Sequence, residues 1–259
     1  MLAGGFFCVA VAVALAVAWA AFSGGDSVAR AAIIDQLSAK EPSPDFVQAT
    51  TTTLEQAGYV VDYYPAEQVT VDFYRNLPTH GYGVIVLRAH SAVPRSDLAL
   101  PADVPQETLN RIMAKIGDDV LLFTSQHYDE TAYLQEQKQF RLFPVVFNGE
   151  TAADSYFAIA TDFVTSSMNG RFKGTTVVLM GCSSLATDRT AAALVDRGAK
   201  TVFGWSGLVS PSHTDATTER LLKYLITDRL SPSEAAEKTA TELGPDPSFG
   251  STLEMYPRR

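Results

Sequence analysis

Apolar residues recur along the chain in short runs separated by stretches with helical spacing, and this alternation predicts a βαβαβ frame. AAIID (Ala31 to Asp35) has the length and composition of a short strand. Ser43 as N-cap and Pro44 at the first helical position start a helix that runs to about Ala57, and Gly58 is its stop. YVVDYY (Tyr59 to Tyr64) is β-rich, the stretch from about Thr70 to Leu77 is helical, and YGVIVLRA (Tyr82 to Ala89) is a near-continuous apolar run. Such a repeat implies parallel strands, right-handed crossovers and helices on both faces of the sheet.

The middle of the chain departs from this rhythm. DDVLLFTS (Asp118 to Ser125) and FPVVFNG (Phe143 to Gly149) are strand candidates around a short helix near Glu130 to Phe140, and Asp162 to Met168 forms a helix ended by Gly170. The region from about 92 to 172 is therefore expected to be an insertion. The repeat then resumes with TTVVLMG (Thr175 to Gly181) as a fourth core strand. A helix capped by Thr187 runs to about Arg197 with Gly198 as its stop, and TVFGW (Thr201 to Trp205) is a fifth strand. Two helices close the chain, one starting at Ser212 with Asp215 in the capping-box position, the other at Ser231 with Pro232 next and Glu234 completing the box.

The first segment is of another kind. Met1 to Phe22 carries no charged side chain, and only Gly4 and Gly5 are not apolar. That length can cross a bilayer as a helix, while Ala18-Trp19-Ala20 has the small-x-small pattern of a signal cleavage site. Residues 1–25 are thus expected to be a hydrophobic helix, either a retained transmembrane anchor or a cleaved signal, leaving residues 26–259 membrane-bound or secreted. Orientation stays open, because the first basic residues, Arg30 and Lys40, lie among Asp26, Asp35 and Glu41.

Composition narrows the body further. The 259 residues are 46% apolar and 19% charged, which suits one globular α/β domain, and a net charge of -9 with no Lys/Arg cluster argues against a nucleic-acid partner. Of the two cysteines, Cys8 lies in the apolar leader and Cys182 in the body, so a disulfide framework is excluded and Cys182 is left as an unpaired thiol. No metal-ligand spacing, P-loop or dinucleotide fingerprint occurs, and no cofactor is expected.

In an open parallel sheet, reacting groups gather at the carboxyl ends of the strands. VIVLRAHS ends in His90 and VVLMGCSS in Cys182. If the two strands are neighbours, about 5 Å apart, imidazole and thiol can meet over the sheet edge, and the histidine can take the proton whose loss makes the thiol a nucleophile. The structural alternative is a buried strand cysteine and a hydrogen-bonded core histidine. His213, after the fifth strand, is a rival base of the glutamine-amidotransferase kind, but Met180-Gly181-Cys182-Ser183-Ser184 lacks the G-x-C-x-G elbow and His213-Thr214-Asp215 lacks the H-x-E. His80 and His127 have no companion chemistry. Trp205 could wall a substrate cleft.

A hydrophobic strand ending in histidine, followed later by one ending in cysteine on a βαβαβ frame, resembles the caspase, clostripain and gingipain superfamily of cysteine peptidases. The resemblance covers roughly Ala31 to Ile226, with VIVLRAHS and VVLMGCSS as its specific parts. It implies a three-layer α/β/α, caspase-like fold with a mostly parallel central sheet. It also implies Cys182 as nucleophile, His90 as general acid/base, the backbone N–H groups of Cys182 and Ser91 as oxyanion donors, and a peptide or protein as substrate. Ser91 stands where that family usually has glycine. Asp35, just after the first strand, is placed to hold a basic P1 side chain, as in clostripain-like members; the caspase QACRG string is absent, so cleavage after Asp is not implied. The alternative is a catalytically silent caspase-like binding module, anchored at the membrane.

Overall fold

The strand and helix runs take shape in a computed structural model that describes residues 28–94, 106–146 and 155–258. The central sheet is built from β1 (Arg30–Asp35), β2 (Val60–Pro65), β3 (Val84–Arg88), β8 (Thr175–Leu179), β9 (Ala199–Trp205) and β10 (Leu253–Tyr256). Its order is β10-β9-β8-β3-β1-β2, and every neighbouring pair is parallel except β9 with β10. The protein is a mixed α/β fold with a mostly parallel central sheet.

Alternation along the strands explains how that sheet is covered. Ala32 and Ile34 of β1, Ile85 and Leu87 of β3, and Val177 and Leu179 of β8 join one core with α2 (Val71–Asn76), α5 (Thr161–Ser166) and α6 (Arg189–Asp196). The intervening Ala31, Ile33, Val84, Val86 and Val178 join a second core with α1 (Pro44–Gln56), α7 (Pro211–Leu222) and α8 (Pro232–Leu243). Strands buried on both faces read as continuous apolar runs, which is why β1 and β3 stand out in the sequence.

Between β3 and β8 the chain builds a second, antiparallel sheet of β4 (Ser91–Ala92), β5 (Leu121–His127), β7 (Tyr156–Ile159) and β6 (Leu142–Val145), in that order. α3 (Gln106–Ile116) precedes β5, and α4 (Leu134–Lys138) joins β5 to β6. Ile116, Leu121, Phe123, Val145 and Ala158 form the apolar cluster of this sheet.

Some helix starts differ from those expected. Thr187 does not cap α6, which begins two residues later; its hydroxyl donates to the Asp118 carbonyl at 2.6 Å. α7 starts at Ser210-Pro211 rather than Ser212, and Asp215 is not part of a capping box but a buried acid. Proline explains the shift, since it is preorganised for the first helical position and lacks the N–H that would go unbonded there. The same Ser-Pro pair opens α1 and α8, and α8 carries the full capping box of Ser231 with Glu234. The expected N-terminal helix and Cys8 lie outside the described residues. Among the described residues no helix is long and apolar enough to cross a membrane.

Candidate active site at two strand ends

β3 and β8 are paired in parallel with Leu87 opposite Leu179, and the ladder continues through the Met180 amide donating to the Leu87 carbonyl at 2.9 Å. Three residues beyond that pair, His90 and Cys182 stand at matching positions on the two emerging segments. The segments interlock. A Cβ on Gly181 would lie 2.4 Å from the Ala89 carbonyl oxygen and 2.9 Å from the Ser91 nitrogen, so the close approach requires glycine. Ser91, buried, donates its hydroxyl to the Cys182 carbonyl at 2.6 Å and closes the junction.

The histidine is held through its main chain from two sides. Its N–H donates to Gln36 Oε1 at 3.0 Å, and its carbonyl accepts from the Phe123 amide of β5 at 3.1 Å. The ring lies 6.0 Å from the Phe123 ring, centroid to centroid. Burial, reinforced by the positive charges of Lys40 and Arg88, lowers the imidazole pKa to about 4. At neutral pH the ring is uncharged.

Cys182 is half-buried. Its Sγ lies 3.5 Å from the Val209 amide nitrogen, which donates to it, and 3.6 Å from the Val209 carbonyl oxygen, to which the thiol donates. The chain turns sharply afterwards, with buried Ser183 at a φ of 52°, a left-handed conformation that costs a non-glycine residue about 1–3 kcal/mol and is seen where the surroundings impose it. Those surroundings are on hand: the Ser183 amide donates to the Gly207 carbonyl at 2.7 Å, and Ser184 Oγ both donates to the Leu179 carbonyl and accepts from the Trp205 amide.

Two other expected residues occupy the interior. Trp205 is 1% exposed, donates its indole N–H to Thr214 Oγ1 at 2.9 Å and stacks obliquely on His213, so it braces the β9 end and offers no surface to a cleft. Asp35 is also 1% exposed. Arg88 Nη1 donates to it at 3.0 Å while Arg88 Nε donates to Asp215 at 2.9 Å. Burial raises the Asp35 pKa in spite of that guanidinium. With its charge already matched inside the fold, Asp35 has lost the physical basis for selecting a basic substrate side chain.

His213 falls in the first turn of α7, where its Nε2 is buried without a hydrogen-bond partner. His80 is stacked on Tyr82 at 5.6 Å. His127, which the sequence leaves without companion chemistry, is brought near His90 by the fold. It stacks on Tyr156 at 4.6 Å and lines, with His90, Gln36, Lys40 and Glu67, a cavity of about 220 Å³. No local motif marks it, because it is the antiparallel pairing of β4 with β5 that lays β5 beside the His90 segment, while β7 sets Tyr156 opposite His127. Among the described residues no group of three or more His, Cys, Asp or Glu side chains is placed to hold a metal ion.

No protein-family model matches the chain, and no curated protein matches it. The chemistry of the site is therefore the basis for assigning a function.

Proposed function

We propose that the chain is a cysteine-dependent peptidase of the caspase/clostripain type on a three-layer, caspase-like α/β domain, with Cys182 as nucleophile and His90 as general acid/base. The observation that carries this reading is the placement of the two residues three positions past the Leu87–Leu179 pair of adjacent parallel strands, on segments locked together by Gly181 and Ser91.

In the reaction the neutral imidazole of His90 takes the thiol proton as Sγ bonds to the scissile carbonyl carbon. The resulting oxyanion is received by the backbone N–H groups of Cys182 and Ser91. His90 returns its proton to the leaving amine as the C–N bond breaks, which leaves a thioester. Water then attacks that acyl-enzyme with His90 again accepting a proton, and the acid and the free thiol are released. Burial keeps His90 uncharged at rest, as the first step requires, and also makes it a weaker base than a solvated imidazole. No P1 preference for basic residues is part of the reading, since Asp35 is paired with Arg88. The apolar run Met1 to Phe22 would carry the domain to a membrane, as an anchor or a cleaved signal.

The test is turnover of a fluorogenic peptide library by the purified protein, together with labelling by a thiol-reactive acyl substrate analogue. In a Cys8→Ser background Cys182→Ala should abolish both signals, and His90→Ala should lower turnover by about 10²- to 10⁴-fold, the usual contribution of a general acid/base. Labelling that persists undiminished in Cys182→Ala would overturn the assignment. Folded wild-type protein that turns over no peptide would favour the silent binding module instead.

A further inference from the structure

Asp246 lies outside the proposed dyad, yet it is 1% exposed and accepts four hydrogen bonds. Oδ1 takes the amides of Ser248 and Phe249 at 2.8 and 2.9 Å, and Oδ2 takes the amide and hydroxyl of Ser210 at 2.8 and 2.6 Å. Burial alone would raise its pKa, but these donors outweigh burial and bring it to about 2, so it is a carboxylate throughout the neutral range. Ser210 is the N-cap of α7, but its hydroxyl makes no capping bond to that helix and turns to Asp246 instead.

The consequence reaches the sulfur through one peptide group. The amide of Ser210 and the carbonyl of Val209 belong to the same planar trans unit and point in opposite directions. Its N–H end is fixed on Asp246, and its C=O end lies 3.6 Å from Cys182 Sγ as acceptor of the thiol proton. The loop cannot drift, because Ser206 and Thr252 exchange hydrogen bonds and Ser251 Oγ donates to the Leu208 carbonyl.

We infer that Asp246 is a positioning residue that latches the Cys182 thiol: by holding the Ser210 amide it aims the Val209 carbonyl at Sγ and keeps the resting nucleophile protonated and turned toward the loop. A carbonyl oxygen accepts from S–H but repels a thiolate. The Val209 N–H, on the preceding peptide, favours the thiolate and is not tied to Asp246, so loosening the Asp246 contact weakens the carbonyl contact that favours the thiol. Attack then begins with the S–H leaving Val209 for the neutral imidazole. The inference rests on the reading of Cys182 as nucleophile, but its test measures the thiol itself, so a failure to hydrolyse peptides would leave it standing.

The experiment is the pH dependence of iodoacetamide alkylation in the full-length chain with Cys8→Ser, which leaves Cys182 as the sole thiol. Two substitutions release the peptide group. Asp246→Asn removes the charge. Ser210→Pro removes the N–H at a residue whose φ of -76° and ψ of 142° already suit proline, and Ser210→Ala, which keeps the amide, supplies its baseline. His90 stands at the adjacent strand end and His213 in the first turn of α7, so each variant is also measured with His90→Ala and with His213→Ala. The expected result is an apparent thiol pKa lower by about half to one unit in Asp246→Asn and in Ser210→Pro, with alkylation at pH 7 faster by about three- to eightfold and the high-pH plateau little changed. A pKa unchanged or raised in folded Ser210→Pro relative to Ser210→Ala overturns the latch. So does a faster plateau at constant pKa, which would mean that the loop has merely loosened.

Discussion

Arg88 stands between two acids in the interior, and that is where single side chains weigh most. Its guanidinium is matched by Asp35 on one side and Asp215 on the other, and it also donates to the Glu41 carbonyl at 2.8 Å. Removing one partner of a buried ion pair leaves uncompensated charge, which costs about 3–5 kcal/mol. Arg88→Met strands two carboxylates and should lower the urea midpoint accordingly, with the loss shrinking when Asp35→Asn is added. The same logic separates specificity from stability at Asp35. Asp35→Asn alone should destabilise the fold, while the ratio of turnover for Arg and Ala at P1 stays within about twofold, because the carboxylate never faces substrate. A collapse of that ratio would return Asp35 to the substrate pocket.

The strand ends are joined at Gly181, and this junction is a property of the β3–β8 pair rather than of either side chain. A methyl group there meets backbone atoms of Ala89 and Ser91, which cannot swing aside as a flexible side chain can. Gly181→Ala should therefore push the two segments apart at a cost of about 1–3 kcal/mol of overpacking, and a displacement near 1 Å should cut turnover about 10²-fold. Urea unfolding and peptide turnover measured on one preparation check both effects. The elements of this junction were legible in the sequence: β1, β3 and β8 are buried on both faces and so write themselves as apolar runs, and the Gly58 and Gly198 stops lie where α1 and α6 end. Less was legible where elements are short or their partners remote. β4 has two residues and β10 four half-buried ones, too few to show a period. Asp215 had the spacing of a capping box, but its partner Arg88 is 127 positions away in the chain, a distance over which local pattern carries no information. The role of Ser91 was hidden for the same reason, since its acceptor is the Cys182 carbonyl.

At the scale of the molecule, His90 lies where the two sheets meet. β3 of the parallel sheet leads into it, β4 of the antiparallel sheet leaves it, and β5 supplies both the Phe123 amide and the ring beside the imidazole. Docking of the sheets thus sets the dielectric around the proposed base, and the pH dependence of folding should report it. The imidazole pKa is about 4 in the fold and about 6.5 in an unfolded chain, so the unfolded state binds more protons between those values. Stability must then fall as pH drops through that window and level off below about 4, and His90 alone should remove roughly 2–3 kcal/mol by pH 4.5. Urea midpoints at pH 7 and 4.5 should show that loss in the wild type and a smaller one in His90→Gln, whose side chain does not titrate. Catalysis should follow the same group. The acid limb of kcat/KM reports the free enzyme, so it should lie near pH 4 rather than near 6.5. Equal losses of stability in His90→Gln and wild type, with an acid limb near 6.5, would mean that His90 is solvated and that the sheets do not close around it.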